Sequence, residues 1–279
     1  MKFAVSNIAW LYAERLDAYA VLRDHGFSGL EIAPSLLFAE ENDPFAPSVQ
    51  AVSSRVTEFE RFGLNLVSAQ SLLFGVDGAD LFGSPLGRER FETGLARAIK
   101  LAGRLSIPNL VIGSPKQRIV PPGFSEDDVT NRVRETFCPL GDLAAANGTR
   151  LALEPNAVGY GTNFMTTVSE TIAAVHKIGH PAVTLNFDTG ALYMTDDYND
   201  VAANVAEAEA YISHVHVSAA NLAPAPVSEA DARSLLDALT DIEYDHAVSI
   251  EMKVVADGLE TLKACVVRLR AAATAGERP

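Results

Sequence analysis

The chain has 279 residues, of which 48% are hydrophobic and 21% charged, and its formal net charge is −14. This composition is typical of a globular protein with a large buried core. The negative charge argues against a nucleic-acid partner, because phosphate backbones are bound by clustered Lys and Arg. Cys138 and Cys265 are the only cysteines and form no C-x-x-C pair, so they predict neither a disulfide framework nor a zinc site.

The first residues, MKFAVSNIAW, lead directly into a strand-like segment. They lack the apolar core and the small-residue cleavage site of a signal peptide. No apolar run approaches the roughly 18 residues that a membrane-spanning helix needs. We therefore expect a soluble, cytoplasmic protein with no membrane partner.

One pattern recurs along the chain: an amphipathic stretch, a Gly or Pro, and a short apolar run that ends in polar residues. Examples are FERFGLNLVSAQ, LAAANGTRLALEPN and VHKIGHPAVTLNFDTG. Glycine suits the left-handed residue that ends a helix, and a short, unalternating apolar run is typical of a parallel strand covered on both faces. The pattern predicts eight strands, at Phe3–Asn7, Gly29–Ile32, Asn65–Ala69, Leu110–Gly113, Leu151–Glu154, Thr184–Asp188, Ile212–Val217 and Ala247–Glu251.

Helices are predicted between the strands, for example at Arg88–Leu105, Asp127–Asn147 and Val168–Ile178. Strict alternation in eight units favours a closed (β/α)₈ barrel over a doubly wound sheet, and the length is near the roughly 250 residues typical of such a barrel. The G-x-G-x-x-G motif of a dinucleotide-binding fold is absent. We predict an α/β fold, a single (β/α)₈ TIM barrel over residues 1–273, with a disordered tail at 274–279.

Ionisable residues end the last four predicted strands. Strands five, six and eight end in Glu154, Asp188 and Glu251, and strand seven carries His214 and His216 on one face. Each carboxylate alone is most often a solvated loop residue or a helix cap, but active sites of these barrels lie at the C-terminal ends of the strands. Converging carboxylates repel one another unless a cation binds them. The pattern therefore indicates a site for a divalent metal ion.

These segments resemble a known family. LALEPN, LNFDTG, HVHVSAAN and VSIEMK are similar to strands five to eight of the xylose isomerase-like TIM barrels, which include sugar phosphate isomerases and epimerases. SNIAW, GLEIAP, SAQSLLFG and GSPKQR resemble one branch of that group, so the resemblance covers nearly the whole chain.

The resemblance implies a metal site and a reaction. Ketose 3-epimerases of this family hold one Mn²⁺, Mg²⁺ or Co²⁺ through Glu, Asp, His and Glu, which correspond here to Glu154, Asp188, His216 and Glu251. We take Mn²⁺ as the first choice, and His216 over His214 because the family's ligand is the second histidine of H-x-H. In the family the two glutamates also move the proton: one takes it from carbon to form an enediolate, and the other returns one on the opposite face.

The sequence departs from the ketose epimerases at three substrate-binding positions. Tyr160, Ala191 and Leu222 stand where those enzymes carry Glu, His and Arg. The resemblance thus implies a metal-dependent isomerase or epimerase acting on a small carbohydrate-like substrate, and the departures add a different polyol, a keto-sugar or a sugar-derived acid as alternatives to a free ketose. Family members are often dimers or tetramers, which makes a homo-oligomer an expectation here.

Several other residues are candidates for substrate binding. Lys116 and Arg118, in the loop after strand four, suit a phosphate or carboxylate group, or belong to an ordinary solvated loop. Glu31 lies on strand two as a further pocket candidate, and Phe38, Phe45, Phe74 and Phe82 in long loops suit a lid or an oligomer contact. The predicted substrate-binding residues are Trp10, Gln70, Lys116, Asn156, Asn221 and Lys253.

Three alternative functions remain open. A dehydratase of the inosose dehydratase type would use the same enediolate to expel a hydroxyl group. An endonuclease of the apurinic-site type shares the barrel but needs more His ligands than a chain with 6 His offers, and it needs a basic surface. A binding protein without catalytic activity would hold no stoichiometric metal.

Overall fold

The computed structural model describes residues 1–274. Eight parallel strands pair in chain order and close on themselves, since β1 pairs with both β2 and β8. The strands are β1 (Lys2–Ser6), β2 (Gly29–Ile32), β3 (Asn65–Ala69), β4 (Asn109–Ile112), β5 (Arg150–Leu153), β6 (Val183–Asp188), β7 (Ile212–Val217) and β8 (Ala247–Ile250). The predicted (β/α)₈ barrel is confirmed.

Ten helices lie between or after the strands in the described residues. They are α1 (Arg15–Asp24), α2 (Pro34–Leu37), α3 (Val49–Arg61), α4 (Pro85–Leu105), α5 (Glu126–Ala146), α6 (Val168–Ile178), α7 (Thr189–Met194), α8 (Val201–Ala208), α9 (Glu229–Asp241) and α10 (Gly258–Thr274). Strands β2, β4, β7 and β8 are buried along their whole length. Their faces are covered by the barrel interior and by the surrounding helices, which is why their sequences show unbroken apolar runs.

Helix starts follow the local sequence. Ser125 accepts a hydrogen bond from the backbone N–H of Asp128, and Asp128 in turn bonds the backbone N–H of Ser125. This capping box satisfies backbone donors that the first turn of a helix leaves free. Helix α4 begins at Pro85, three residues before its predicted start, because proline fits the first turn and Ser84 caps it.

The strand register brings the predicted site residues to one end of the barrel. In the β6–β7 pairing, Asp188 lies beside His216. In the β7–β8 pairing, Val217 lies beside Ile250, which is the last residue of β8. Glu251 is the next residue and therefore lies at the same end of the barrel. Glu154 likewise directly follows β5. The C-terminal ends of four neighbouring strands therefore present the four side chains to one another.

Three of the four loop phenylalanines do not form an exposed lid. Phe38, Phe45 and Phe82 are buried in the core, and only Phe74, at 58% exposure, faces solvent. Helix α10 continues through Thr274, the first residue of the predicted tail, and residues 275–279 lie outside the described part of the chain. Among residues 1–274, no helix combines the length and the apolar character needed to cross a membrane.

Candidate metal centre

Three carboxylates surround one imidazole at the C-terminal end of the barrel. His216 Nδ1 lies 3.0 Å from Glu154 Oε1, 3.4 Å from Glu251 Oε2 and 3.8 Å from Asp188 Oδ2. One ligand atom from each of the four residues lies within 4.8 Å of every other, and all four residues are buried. The structure thus brings together the whole predicted ligand set.

Without a cation, the negative charges of the three carboxylates repel one another. Burial and the charges of Glu154 and Glu251 raise the pKa of Asp188 to about 8. Burial also raises the pKa of Glu251, although the nearby His216 opposes the shift. Burial would raise the pKa of Glu154 too, but the hydrogen bond and charge of His216 lower it. Carboxylates crowded in this way favour binding of a positive ion.

The donor set fits a divalent metal ion. Carboxylate oxygens with one imidazole nitrogen suit Mn²⁺, Mg²⁺, Co²⁺ and Zn²⁺, and the hard oxygen majority suits the first two best. If Mg²⁺ or Mn²⁺ binds, oxygens of water or substrate would supply its further ligands. Glu154, Asp188, His216 and Glu251 are therefore the residues that would hold the ion.

A buried carboxylate orients the histidine. Glu31 is fully buried on β2, and its Oε2 lies 3.0 Å from His216 Nε2 and 2.9 Å from His214 Nε2. Its other oxygen accepts a hydrogen bond from Gln70 Nε2. With Nε2–H donating to Glu31, Nδ1 of His216 is the nitrogen that faces the three carboxylates. Carboxylates commonly fix metal-binding histidines in this way.

Replacing Glu31 by Gln should weaken metal binding. The variant removes the negative charge that holds the His216 ring, and loss of such a partner typically costs 10–100-fold in metal affinity. Isothermal titration with Mn²⁺ measures the change. Glu209→Gln, an exposed carboxylate at the end of α8, is the matched control and should bind like the wild type. Equal affinity in both variants would contradict this role of Glu31.

Two of the other three predicted ligands, Asp188 and Glu154, are also held by hydrogen bonds. Asp188 Oδ1 accepts from the backbone N–H of Ala191, and Oδ2 accepts from the hydroxyl of Ser218. Glu154 Oε1 accepts from Asn186 Nδ2 at 2.8 Å, and Oε2 accepts from Asn156 Nδ2 at 2.9 Å. These contacts leave little rotational freedom to either carboxylate.

Asn186 and Ser218 were not predicted from the sequence. Asn186 lies two residues before Asp188 on β6 and hence on the same face of the strand. This two-residue spacing from a predicted ligand is the sequence feature that could have identified Asn186. Ser218 follows β7 directly, but a serine at a strand end carries no specific signal. Nothing in the local sequence indicates which carboxylate either residue contacts.

Metal affinity should rise with pH. The raised pKa values of Asp188 and Glu251 keep protons on these carboxyls that a metal ion must displace. Although burial opposes it, Glu31 and Glu251 also raise the pKa of His216 well above its usual value, so the imidazole too must lose a proton. Titration with Mn²⁺ at about pH 6 and about pH 8.5, in buffers of different ionisation enthalpy, should show tighter binding at the higher pH and proton release at the lower. Equal affinity without proton release at both would contradict these shifts.

A cavity of about 170 Å³ opens onto the carboxylates. It is smaller than the roughly 300–1,000 Å³ of drug-sized ligand pockets, which suits a small substrate. Its lining comprises Pro115, Glu154, Asn156, Tyr160, Asp188, Gly190, Ser218, Ala219, Leu222 and Glu251. Two of the departures from the ketose epimerases, Tyr160 and Leu222, therefore line this cavity, and the third, Ala191, is buried and donates its backbone N–H to Asp188 Oδ1.

A second cavity, of about 500 Å³, lies at the opposite end of the barrel. Its lining includes Lys2, Asn109, Arg150 and Ala247, which begin strands β1, β4, β5 and β8. Residues at that end of such barrels serve stability, whereas catalytic groups come from the C-terminal ends of strands. We therefore take the smaller cavity as the candidate functional site.

The structure places the six predicted substrate-binding residues in different surroundings. Of the six, only Asn156 lines the cavity. Trp10 is buried with its ring edge against Tyr19, and Gln70 is buried with its amide bonded to Ser6 and Glu31. These two belong to the packing of the barrel and to the support of Glu31.

The remaining three lie on exposed loop positions. Lys116 follows Pro115 but is exposed, and Lys253 is exposed because β8 ends at Ile250 and the strand alternation stops there. Asn221 has a left-handed backbone, and its N–H donates to the hydroxyl of Tyr160 at 2.9 Å. Its contribution is to hold Tyr160 rather than to contact the cavity.

The sequence matches the model of the xylose isomerase-like TIM barrel family over residues 19–265. A search of curated protein sequences finds no significant match.

Solved structures with a similar fold include two sugar epimerases. The 3-keto-D-glucoside 4-epimerase YcjR from E. coli superposes with a TM-score of 0.77 at 18% identity, covering 97% of this chain and 99% of that chain. D-Psicose 3-epimerase from Clostridium cellulolyticum H10, solved with D-tagatose, gives a TM-score of 0.74 at 18% identity, with coverages of 98% and 97%. A family 2 AP endonuclease from Brucella melitensis gives 0.72 at 17% identity over the full length of both chains. At these identities the likeness concerns the fold alone.

Proposed function

The chain belongs to the xylose isomerase-like TIM barrel family, and from the chemistry of its site we propose that it is a divalent-metal-dependent sugar isomerase or epimerase. One observation carries the proposal. Glu154, Asp188 and Glu251 converge with His216 Nδ1 beside a small cavity, so that two glutamates flank the space where a substrate binds. Such an arrangement suits proton transfer at a carbon next to a carbonyl group.

The two glutamates differ in their surroundings. Both oxygens of Glu154 accept hydrogen bonds from amides, whereas no described residue hydrogen-bonds Glu251 Oε1. Glu251 Oε1 therefore takes the proton from the substrate carbon, which leaves an enediolate. Glu154, reaching the substrate from β5, takes a proton from solvent and delivers it to the opposite face of the carbon, which inverts it, and Glu251 releases its own proton to solvent. When bound, the divalent ion polarises the carbonyl group and makes this carbon more acidic.

The remaining residues hold this arrangement. Asp188 and His216 are fixed by Ser218 and Glu31, and they complete the ligand set without taking part in proton transfer. Tyr160 and Leu222 line the cavity, and they stand where the ketose epimerases carry Glu and Arg. We infer that the substrate is a carbohydrate-like carbonyl compound that makes fewer polar contacts than a ketose.

Deuterium incorporation tests the reaction class. The Mn²⁺-loaded protein is incubated in D₂O with ketoses and keto-sugars, beginning with D-psicose, D-tagatose and a 3-keto-D-glucoside, which occur in the names of the structural neighbours. We expect deuterium at the carbon next to the carbonyl of at least one compound. No incorporation with any compound at full metal occupancy would contradict the proposal, and a new dicarbonyl chromophore without stereochemical exchange would identify a dehydratase instead.

A further inference from the structure

Arg118, in the loop after β4, is neither a solvated loop residue nor an exposed anion-binding group. It is 1% exposed, and among residues 1–274 it is the only Lys or Arg that is buried. Its neighbour Lys116, two residues earlier, is exposed as the sequence suggests. Burying a guanidinium is costly unless its charge and its N–H groups are used, so a buried arginine next to a reactive site calls for a specific explanation.

A chain of hydrogen bonds connects Arg118 to a predicted metal ligand. Arg118 Nη2 donates to Asn156 Oδ1 at 2.9 Å, and Asn156 Nδ2 donates to Glu154 Oε2 at 2.9 Å. Because the guanidinium only donates, it fixes which end of the Asn156 side chain is the oxygen. The amide nitrogen must then point at Glu154. Arg118 thus determines the orientation of the group that holds Glu154.

The carboxylate of Glu154 is closely packed on the side of β4. A side-chain carbon at Gly113, the residue after β4, would lie 2.5 Å from Glu154 Oε2 and 3.4 Å from Asn156 Oδ1. Glycine is therefore needed for the carboxylate and the amide to pack against this strand end. The other oxygen, Oε1, is directed towards His216 Nδ1, where the ligand atoms converge.

The charge of Arg118 also suits this position. Three carboxylates carry one negative charge more than a divalent ion neutralises, and the guanidinium supplies a compensating positive charge on the Glu154 side of the site. Its Nε and Nη1 have no hydrogen-bond partner among the described residues. No carboxylate there therefore forms a direct ion pair with Arg118 that would neutralise its charge. Its long-range attraction is therefore directed to the carboxylates.

We propose that Arg118 is a positioning residue of the reaction, which acts through Asn156 to fix the carboxylate of Glu154 for metal binding and proton transfer. This inference rests on the proposed function. The competing explanation is a purely structural tie, since Arg118 Nη2 also lies 3.5 Å from the backbone oxygen of Met165 and so joins the loops after β4 and β5. The two explanations differ in whether Asn156 transmits the effect.

A double-mutant cycle tests the inference. Arg118→Met, Asn156→Ala and the double variant are compared with the wild type in deuterium exchange and in Mn²⁺ titration. Loss of such a supporting contact typically lowers metal affinity or activity 10–100-fold, so we expect Arg118→Met to lower kcat by about that factor while KM changes little. The double variant should be no slower than Asn156→Ala alone, because the two residues act in series. Arg118→Lys, which keeps the charge and one donor, should recover part of the loss.

The outcomes separate this inference from the proposed function. Wild-type kcat and Mn²⁺ affinity in folded Arg118→Met, or independent losses that multiply in the double variant, would overturn it. If Arg118→Met does not fold, the same cycle is measured with Arg118→Lys, Asn156→Ala and their double variant. Losses of kcat that multiply in this double variant would again overturn the inference. A wild-type protein that binds Mn²⁺ but exchanges no deuterium would overturn the proposed function, and Mn²⁺ affinities in the same cycle would then decide whether Arg118 positions Glu154. A wild-type protein that binds no Mn²⁺ would overturn both.

Discussion

Glu251→Gln is expected to lower deuterium exchange by about 10²- to 10⁴-fold, the range that a positioned acid–base group contributes. Glutamine has nearly the same shape, so the barrel and the cavity should remain intact. Its amide cannot accept a proton from carbon, and it binds a metal ion more weakly than a carboxylate does. The rate is measured by NMR with the Mn²⁺-loaded protein and whichever compound the wild type exchanges.

Two further variants make this result specific. Glu154→Gln should lose a comparable factor, because the proposed mechanism needs a carboxylate on each side of the substrate. Glu209→Gln replaces an exposed carboxylate that does not line the cavity. This variant should exchange deuterium at the wild-type rate. If Glu251→Gln exchanges as fast as the wild type with Mn²⁺ bound, proton transfer by Glu251 is wrong.

Removing the metal with EDTA is expected to abolish exchange and to lower the melting temperature. Without a cation, three buried carboxylates face one another, and burial together with the charges of Glu154 and Glu251 raises the pKa of Asp188 to about 8. Occupancy at 100 times the dissociation constant stabilises a protein by about 2.7 kcal/mol. Each kcal/mol shifts the melting temperature of a domain of 150–250 residues by about 2–4 °C, so a change of several degrees is expected.

Adding Mn²⁺ back should restore both the rate and the melting temperature. Glu251→Gln, which lacks one ligand, should show a much smaller thermal shift over the same range of Mn²⁺ concentration. Full exchange activity in protein that contains less than stoichiometric metal by elemental analysis would contradict a metal-dependent reaction.

The fold was predictable because its signals are local. Each strand is a short apolar run, and glycines such as Gly63 and Gly179 end the preceding helical segments with a left-handed backbone. Three predicted strands have the observed bounds, at Gly29–Ile32, Asn65–Ala69 and Ile212–Val217. The others shift by one residue at one or both ends, because strand ends depend on pairing with neighbours rather than on residue type.

The convergence of the site residues was predictable for a related reason. Glu154, Asp188 and Glu251 each end an apolar run, and a closed barrel brings the ends of consecutive parallel strands together. The support of these residues was not predictable. Glu31 and His216 are 185 positions apart in the sequence, and Arg118 reaches Asn156 across two loops. Such pairings depend on barrel closure and loop packing, which no local pattern encodes.

Most of the predicted substrate-binding residues do not line the cavity, for the same reason. Trp10 and Lys253 were placed by their nearness in sequence to a strand end, but the direction of a side chain beyond a strand depends on the loop. Tyr160 and Leu222, found as departures from the family pattern, do line the cavity. A residue aligned to a family position was thus a better guide than one chosen by residue type.

A crystal structure of the protein with Mn²⁺, with anomalous diffraction measured at the manganese edge, tests the central claim most directly. We predict one strong peak per chain at about 2.0–2.3 Å from oxygens of Glu154, Asp188 and Glu251 and from His216 Nδ1. His216 Nε2 should remain bonded to Glu31. No peak among these four side chains at saturating Mn²⁺, or a peak bound by other residues, would contradict the assignment of this site as a metal centre.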